Sequence, residues 1–552
     1  MERGTVFVPR GRRLSSPPPT GFSRDENLAR MAREEFDVCV IGGGINGAAV
    51  ARDGALRGLK VALVEAGDFA GATSSRSSKL IHGGFRYLPQ WQFRLVYHAI
   101  RERELLRHRT APHLVHAIRF LFPIYKGKGF GRFTMDVGMW LYDIFARTAR
   151  SERHRIIGAK AAMGREPTLA SANLKGAALY YDAWGDDARI TFENVLDAGL
   201  HGATVANYVL LESLAKNSDG IVAARVRDVI NDERLDIRAH HYVNAAGPWV
   251  DDIRRMDDPA ASPSVRLTKG VHLVFPISAL PVKEPIVLGD DADRIVFVMP
   301  HDRYVLVGTT DTDFSGDRRA IAADQDDIKY LMKVLSERLP HIALSEDDIA
   351  SSFAGVRALL ISADQKSPSA VPREETILES ASGMLSVAGG KLTTHRRIAG
   401  KVVDRLMEKL GLEVAASPTL TEPLPGAREI ARRGSSVVAL GQNIPILQER
   451  YGTRAWQVAS IAAERPELAM PLAPDCPAIG AEVIHAIRNE MAYCVADFLV
   501  RRTSLVWRYP REAEAAAPAV ARIMAKELGW DPEREEAELS GFVSDLKRRR
   551  AA

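Results

Sequence analysis

Hydrophobic positions near the start of the chain define a strand, a helix and a second strand. The run FDVCVI at residues 36–41 is nearly all apolar, as expected for a strand buried on both faces. A glycine turn follows it, then a helix with small residues such as Ala48 and Ala51, then the apolar strand KVALVEAG at 60–67. This order predicts a βαβ unit and therefore an α/β fold.

Periodicity further along predicts a second sheet and a helical end to the chain. Residues 265–310 alternate apolar and polar positions, and DIKYLMKVLSERLP at 327–340 has the pattern of an amphipathic helix. Residues 383–411 have the order of a strand, a glycine pair and a long helix. After a segment with several Pro and Gly residues at 412–430, strand patterns are absent, which indicates helices.

These patterns predict a multidomain chain, because 552 residues are too many for one hydrophobic core. We expect an α/β domain at 34–411, interleaved with a β-sheet domain at roughly 112–190 and 256–345. We expect a linker at 412–430 and a helical domain at 431–552. The Arg- and Pro-rich start predicts a disordered extension at 1–33.

Composition narrows the class of protein. A net charge of +4, with Arg and Lys interspersed among Asp and Glu, argues against a nucleic-acid partner. Three scattered cysteines form neither a disulfide framework nor a zinc pattern, and His113 and His116 lack ligand neighbours, so no metal is expected. No apolar run reaches membrane-spanning length and the start lacks a secretory pattern, so a reducing, cytoplasmic location is expected.

The glycine turn after the first strand has the spacing of a phosphate-binding turn. Gly42, Gly44 and Gly47 form G-x-G-x-x-G between a strand and a helix. These glycines allow a tight turn, close approach of a pyrophosphate, and packing of the helix on the sheet. Glu65 ends the next strand, where a carboxylate accepts a ribose hydroxyl. The pattern predicts an ADP-containing dinucleotide in a Rossmann-like domain and leaves NAD and FAD open.

Two later segments favour FAD. YVNAAGPWV, which contains Ala246 and Gly247, places small residues at a strand end where a cofactor can lie against the backbone. SVAGGKLTT, which contains Gly389 and Gly390, presents backbone N–H groups at the start of a helix. A helix N-terminus directed at a flavin stabilises the negative charge of the reduced ring.

Six motifs then occur in an order that resembles one enzyme family. VIGGGINGAA, ATSSRSSKLIHGGFRYL, NAAGPWV, KGVHLVFP, VGTTDTDF and GGKLTT are similar to segments of FAD-dependent, respiratory glycerol-3-phosphate dehydrogenases. The resemblance runs from about residue 35 to 412, and the helical tail also fits that family. It implies that residues 34–411 contain an FAD-binding domain of the glutathione-reductase and D-amino-acid-oxidase type, and that the interleaved β-sheet segments form the substrate domain. It also implies oxidation of sn-glycerol 3-phosphate to dihydroxyacetone phosphate, with electrons passing through FAD to a membrane quinone.

The resemblance implies a set of cofactor-binding residues. Those placed along FAD are Gly42, Gly44, Asn46, Gly47, Glu65, Thr73, Ser74, Ser75, Ser78, Lys79, Leu80, His82, Gly83, Gly84, Ala246, Gly247, Gly389, Gly390, Lys391, Leu392 and Thr393. His82, Gly83 and Gly84 are expected to bring the backbone close to the isoalloxazine ring.

The resemblance also implies the residues that face the substrate. Phosphate-binding guanidinium groups are expected from Arg86, Arg357 and Arg373, and the expected pocket residues also include Tyr87 and Thr310. Lys391 is expected near the flavin as a third catalytic residue beside Arg357 and the histidine discussed next. Relatives often read SGVRPL around Arg357, so Ala354 and Ala358 are departures that bear on the local loop geometry.

Alcohol oxidation needs a base for the hydroxyl proton, and His272 is the first candidate. A single histidine on an alternating strand is often structural. The resemblance nevertheless places His272 at the flavin and in contact with the substrate, and leaves its role as the base open.

A quinone acceptor implies contact with the membrane surface from the cytoplasmic side. The stretch 120–147 combines basic and aromatic residues, as monotopic contacts do: Phe120, Phe122, Tyr125, Lys126, Lys128, Phe130, Arg132, Phe133, Trp140, Tyr142, Phe145 and Arg147. An aromatic core helix under a basic loop is the alternative for any one of them. A homodimer is an assembly that the sequence leaves open.

Other functions stay open at this stage. A glycerol-3-phosphate oxidase would use oxygen with the same pocket. A flavin-dependent amine or hydroxy-acid oxidase does not explain the clustered arginines. A catalytically silent scaffold or redox sensor does not explain the intact Arg86, His272, Arg357 and Lys391. An NAD-linked reductase lacks a second dinucleotide fingerprint.

Overall fold

A computed structural model describes residues 22–85, 87, 91–127, 131–146, 152–289, 294–361, 375–428 and 444–550. The predicted site residues Arg86 and Arg373 lie outside these ranges. Within them, no helix combines the length and the apolar character needed to cross a bilayer.

The helices of the described residues are α1 Arg24–Arg33, α2 Ile45–Leu56, α3 Phe93–Leu105, α4 Arg132–Ala146, α5 Ala159–Arg165, α6 Asp187–Leu200, α7 Val250–Asp257, α8 Gln325–Arg338, α9 His395–Lys409, α10 Ile444–Tyr451, α11 Ala455–Glu464, α12 Gly480–Glu490, α13 Leu505–Arg508, α14 Pro510–Leu528 and α15 Pro532–Arg550. The strands are β1 Glu35–Ile41, β2 Val61–Val64, β3 Leu80–Ile81, β4 Val115–Tyr125, β5 Arg155–Gly158, β6 Leu174–Gly185, β7 Thr204–Ala206, β8 Val209–Asn217, β9 Gly220–Asp228, β10 Glu233–Asn244, β11 Val265–Pro276, β12 Ile286–Gly289, β13 Ile295–His301, β14 Tyr304–Gly308, β15 Thr312–Asp313, β16 Ser351–Leu360, β17 Glu375–Glu379 and β18 Leu385–Gly389.

The first sheet contains the predicted βαβ unit, β1–α2–β2. Its strands lie in the order β17-β18-β10-β1-β2-β7, and β1 runs parallel to both β2 and β10. Parallel strands need cover on both faces, which is why β1 and β2 are almost wholly apolar. Part of this cover comes from helices α2, α6 and α9, which pack with Val38 and Val40 of β1 in one hydrophobic core cluster. The α/β prediction is confirmed.

The second sheet is mixed and comes from two separated stretches of chain. Its order is β15-β11-β14-β13-β12-β4-β6-β3, with β16 paired to β11 and β5 paired to β6. The antiparallel pair β11–β16 runs from Val265 opposite Leu360 to Val274 opposite Ser351. The sheet therefore extends past residue 345, where the predicted substrate domain ends, because β16 completes the edge beside β11.

The prediction of disorder for residues 1–33 is wrong for residues 24–33, which form α1. Ser23 caps the helix by accepting from the Glu26 backbone N–H. Arg24 is buried and forms an ion pair with Asp228, and Met31 is buried under the first sheet. These partners are remote in sequence, so composition alone did not reveal them. Residues 1–21 lie outside the described residues.

The C-terminal helices α10 to α15 form the predicted helical domain, and buried ion pairs join it to the first sheet. Arg189 of α6 donates to both carboxylate oxygens of Glu490 in α12, at 2.7 and 3.1 Å. Burial alone raises the pKa of Glu490, but Arg189 and its neighbours hold it well below the usual value. Arg502 forms a similar pair with Asp68, at 2.8 Å.

Candidate active site

The glycine turn between β1 and α2 has the geometry of a phosphate-binding loop. Gly42 has φ of +112°, and a Cβ there would lie 2.6 Å from the Ala245 carbonyl oxygen. A Cβ on Gly47 would lie 1.8 Å from the Gly42 oxygen, so this glycine packs the helix against the turn. Gly44 begins α2 without a side-chain cap, which leaves helix N-terminal N–H groups for an anion. The Ile45 N–H already donates to Ser74 Oγ at 2.9 Å.

The Glu65 carboxylate is fixed at the end of β2 by the backbone. It accepts from the Gly43 N–H at 2.7 Å and from the Gly67 N–H at 2.9 Å. Burial raises the pKa of Glu65, and these two N–H groups oppose that rise. A carboxylate held in this way is preorganised to accept a hydrogen bond from a ribose hydroxyl.

A single cavity of about 2030 Å³ connects this turn to the turn between β18 and α9 and to the second sheet. It exceeds the few hundred to about 1,000 Å³ of an ordinary small-molecule pocket. An extended dinucleotide together with a small substrate accounts for that volume. The predicted residues that line it are Gly42, Gly44, Asn46, Glu65, Thr73, Ser74, Ser78, Leu80, His82, Gly84, Ala246, Gly247, Arg357, Gly389, Gly390, Lys391, Leu392 and Thr393. The turn geometry, the fixed carboxylate and the cavity volume fit FAD.

Several residues expected to touch cofactor or substrate lie behind the cavity wall. They are Gly47, Ser75, Lys79, Gly83, Tyr87, His272 and Thr310. Tyr87 is buried and has the Lys391 Nζ atom 4.0 Å from its ring centroid. Thr310 Oγ1 accepts from the Val271 N–H at 3.0 Å, so it braces the second sheet.

Lys79 is a buried support for the cavity loop. Its side chain is fully buried, and Nζ donates to Asp187 at 2.5 Å and to the Ser75 carbonyl at 2.6 Å. Burial raises the pKa of Asp187, and the Lys79 ammonium opposes that rise. The Lys79 charge is therefore used within the protein, and the expected place of this residue along the cofactor stays a prediction.

His272 reaches the cavity through a serine. Its ring is buried, stacks on Phe353 with centroids 4.8 Å apart, and places Nε2 2.8 Å from Ser78 Oγ. Burial, and then the charges of Arg357 and Lys79, lower the pKa of His272 well below 6.5, so the imidazole is neutral at physiological pH. Ser78, and not His272, lines the cavity here, so the expected contact of His272 with the substrate stays a prediction.

Arg357 lines the cavity, and its guanidinium is held by hydrogen bonds to residues 309–311, between β14 and β15. Its NH2 donates to Thr309 Oγ1 at 2.8 Å, and its NH1 to the Thr310 carbonyl at 3.1 Å and to Asp311 Oδ1 at 3.3 Å. A Cβ on Gly270 would lie 2.2 Å from the guanidinium, so the glycine makes room for it. The neighbouring Ala354 and Ala358 lie in strand β16, not in a loop.

The second glycine pair shapes the wall around Lys391. Gly389 and Gly390 have φ of +75° and +93°, which favour glycine. A Cβ on Gly390 would lie 2.6 Å from Ile398 Cδ1 of α9. Across the wall, a Cβ on Gly84 would lie 3.8 Å from the Lys391 Nζ. The two glycine turns, far apart in sequence, therefore meet at Lys391.

The structure adds cavity residues that are not among the expected site residues. Arg76 lies within the motif ATSSRSSKLIHGGFRYL and Asp182 lies on β6, outside the six motifs, whereas Cys494, Ala496 and Arg501 come from the C-terminal helical domain. No sequence pattern linked the helical domain to the cavity, since the connection depends on how the two domains pack.

The aromatic stretch divides between core and surface. Phe120 and Tyr142 are buried, so they are not surface contacts. Phe122, Tyr125 and Phe145 are partly buried, and Lys126 is exposed. Phe130, Lys128 and Arg147 lie outside the described residues, as does the side chain of Arg132.

One face of α4 carries exposed apolar side chains at helical spacing, which we call the α4 face: Phe133, Val137, Trp140 and Ile144. Phe133 is 82% exposed and Ile144 is 65% exposed. Side chains of this size are seldom so exposed together without a partner surface. Among the described residues, no group of His, Cys, Asp or Glu side chains is arranged to hold a metal ion.

Comparison with known proteins adds family information. A family model described as FAD dependent oxidoreductase matches residues 37–396. A second model, described as the C-terminal domain of alpha-glycerophosphate oxidase, matches residues 417–535.

Individual relatives match over almost the whole chain. An aerobic glycerol-3-phosphate dehydrogenase of Staphylococcus saprophyticus is 36% identical over 94% of this chain and 95% of its own. The crystal structure of the glycerol-3-phosphate dehydrogenase from Bacillus halodurans complexed with FAD superposes with a TM-score of 0.80, at 29% identity, over 96% of this chain and 98% of that one. The L-alpha-glycerophosphate oxidase of Mycoplasma pneumoniae shares the fold, with a TM-score of 0.55 and 20% identity over 71% of this chain and 98% of its own.

Proposed function

The chain belongs to the family of FAD-dependent, aerobic glycerol-3-phosphate dehydrogenases, and we propose that it oxidises sn-glycerol 3-phosphate to dihydroxyacetone phosphate. The observation that carries this proposal is the match, at 34–36% identity over more than nine-tenths of both chains, to relatives named for that activity. Its cofactor is FAD, which is common to the family and fits the cavity. When bound, FAD supplies a hydride acceptor.

Substrate binding is assigned to two cations that line the cavity, Arg357 on the second sheet and Lys391 where the two glycine turns meet. The guanidinium of Arg357 is preorganised by Thr309 and Asp311 and can bind phosphate or alcohol oxygens through paired N–H groups. The ammonium of Lys391 lines the same cavity and stabilises negative charge that develops on the alcohol oxygen. Arg86 and Arg373 complete the phosphate pocket in this proposal.

The hydroxyl proton leaves through Ser78 and His272. Ser78 Oγ lines the cavity and lies within hydrogen-bond distance of the neutral His272 Nε2. A substrate hydroxyl beside Ser78 can pass its proton along this hydrogen bond to the imidazole. The buried imidazole thus acts as the base through the serine hydroxyl.

Two variants test this relay. Ser78→Ala and His272→Asn are each expected to slow flavin reduction roughly 100-fold, with no further loss when combined, since both interrupt one path. Independent, multiplicative losses, or a His272→Asn enzyme with the wild-type rate, would contradict the relay.

The experiment for the overall reaction is an anaerobic visible spectrum of the FAD-loaded protein. Addition of sn-glycerol 3-phosphate is expected to bleach the flavin band at about 450 nm. The opposite enantiomer and glycerol serve as controls and are expected to leave the band unchanged. A flavin that stays oxidised with sn-glycerol 3-phosphate would overturn the proposed substrate.

We further propose a membrane quinone as the electron acceptor and peripheral binding through the α4 face. The exposed apolar side chains of that face, with the exposed Lys126 before α4, suit the interface of an anionic bilayer. Reoxidation of the reduced enzyme by a short-chain quinone is expected to outpace reoxidation by oxygen. The reverse order would make the protein an oxidase.

Membrane binding is tested by a matched pair of substitutions. Val137→Asp places a charge on the α4 face, whereas Val222→Asp places one at a comparably exposed valine on β9. Sedimentation with anionic vesicles is expected to fall only for Val137→Asp, because a buried charge is costly at the interface. Equal binding by both variants would exclude the α4 face as the contact.

A further inference from the structure

We infer that Tyr142 is a positioning residue for the candidate active site. Its hydroxyl, acting with Asp182 and Arg103, fixes the backbone turn at residues 82–84 that forms part of the cavity wall. The catalytic consequence rests on the proposed function, whereas the effect on the turn does not.

A closed ring of hydrogen bonds connects these groups. The Gly83 N–H is shared between Tyr142 Oη and Asp182 Oδ1, both at 3.0 Å. The Tyr142 hydroxyl donates to Asp182 Oδ2 at 3.1 Å. Arg103 NH1 donates to Tyr142 Oη at 2.9 Å and to Asp182 Oδ1 at 2.8 Å. All four residues are buried, so water does not replace a lost contact.

The glycine at position 83 is needed because of Tyr142. A Cβ on Gly83 would lie 2.3 Å from Tyr142 Oη and 2.5 Å from Ile100 Cγ1. The HGG motif was expected to bring backbone close to the flavin. That expectation stays a prediction, and the close neighbour that the structure shows for Gly83 is the Tyr142 hydroxyl.

The same turn faces the cavity through its flanking residues. His82 and Gly84 line the cavity, and Gly84 lies next to Lys391. Thr393 Oγ1 approaches the His82 carbonyl at 3.5 Å from the start of the α9 segment. The turn is therefore held between α9 on one side and Tyr142 on the other, and its displacement would move the wall beside Lys391.

Tyr142 also connects the turn to the surface helix. It projects from α4 on the side opposite the α4 face, and its ring makes an edge-on contact with Phe85 at 6.0 Å between centroids. Tyr142→Phe keeps this ring packing and removes only the hydroxyl. The substitution therefore separates positioning by the hydrogen bond from filling of space.

The test compares Tyr142→Phe with Tyr304→Phe. Tyr304 Oη also donates to a carboxylate, Glu512, at 3.0 Å, but Tyr304 does not line the cavity. Two readouts are used on the FAD-loaded proteins: hydrogen exchange of the Gly83 amide, and the limiting rate of anaerobic flavin reduction by sn-glycerol 3-phosphate. Tyr142→Phe is expected to speed exchange and slow reduction, each roughly fivefold to tenfold, with an unchanged apparent Kd for the substrate.

Each outcome decides part of the inference. Faster exchange and slower reduction only in Tyr142→Phe support it. Wild-type exchange in Tyr142→Phe overturns the role in fixing the turn, and faster exchange with a wild-type reduction rate overturns the role in positioning. If the wild-type flavin is not reduced, the proposed function fails and the exchange result alone decides the role of Tyr142 in the turn. If Tyr142→Phe does not fold, Arg103→Lys is measured in the same way, with the same direction expected.

Discussion

Replacing Arg357 with lysine separates the charge of this residue from its geometry. Lysine keeps one positive charge but has a single nitrogen, whereas the guanidinium presents paired N–H groups. In the structure both terminal nitrogens of Arg357 are committed: NH2 to Thr309, and NH1 to the Thr310 carbonyl and Asp311. A lysine ammonium can satisfy one of these directions at a time while it also faces the substrate.

The size of the effect follows from the contacts that disappear. Hydrogen bonds to a charged group contribute roughly 1.5–3 kcal/mol each. Loss of one such bond to substrate, with loosening of the anchor on Asp311, costs about 3 kcal/mol of transition-state stabilisation. We therefore expect Arg357→Lys to lower kcat/KM about 100-fold, since each 1.4 kcal/mol is about tenfold.

The assay is steady-state oxidation of sn-glycerol 3-phosphate with a soluble dye acceptor, on protein loaded to equal FAD content. Arg254→Lys is the matched control, because Arg254 NH1 also bonds a carboxylate, Asp251, at 2.9 Å and the Ser262 carbonyl at 2.7 Å, outside the cavity. The control is expected to stay within about twofold of wild type. An Arg357→Lys enzyme that also stays within twofold would refute the claim that guanidinium geometry matters.

Three further outcomes follow from the fold. Gly47→Ala should abolish FAD retention in a gel-filtered sample, since the new Cβ would lie 1.8 Å from the Gly42 oxygen. Arg189→Met should lower the unfolding free energy in urea by about 3 kcal/mol because Glu490 loses its bidentate buried partner and keeps longer contacts to Arg454 and His485, whereas Arg225→Met at an exposed pair should change it by less than about 1 kcal/mol. Because the folded-state pKa of Glu490 is depressed, its stabilising contribution is present above the ordinary pKa of 4.5 and is lost as the pH falls from there through the lower folded-state pKa, so wild type should lose more stability than Glu490→Gln between pH 5 and pH 3.

Local features of the site could be predicted from sequence where one short segment carries the whole constraint. Gly42, Gly47 and Glu65 lie within one βαβ unit, so the spacing of residue types specifies the turn and its carboxylate. The glycine pair before Lys391 could be predicted for the same reason, because the positive φ angles of this turn favour glycine whatever the rest of the fold. The helical character of the C-terminal domain likewise follows from local periodicity.

Burial of charged and polar side chains could not be predicted in the same way. Lys79 was placed along the cofactor, but its charge is neutralised by Asp187, more than a hundred positions away. His272 is expected at the substrate, but Ser78 lines the cavity and the buried His272 ring contacts the Ser78 hydroxyl. Disorder was assigned to residues 24–33, yet Arg24 is buried against Asp228. In each case the deciding partner comes from another element.

The sequence by itself determined the α/β class, the phosphate-binding turn and the family, because each depends on the order and spacing of residues along short segments. Only the tertiary structure decided which motif residues face the cavity, that Gly83 makes room for Tyr142, and that the helical domain contributes Arg501 to the wall. The physical reason is that a side chain's direction and partner depend on contacts between remote segments. A local pattern specifies the backbone that carries the side chain, but not the neighbours that it meets.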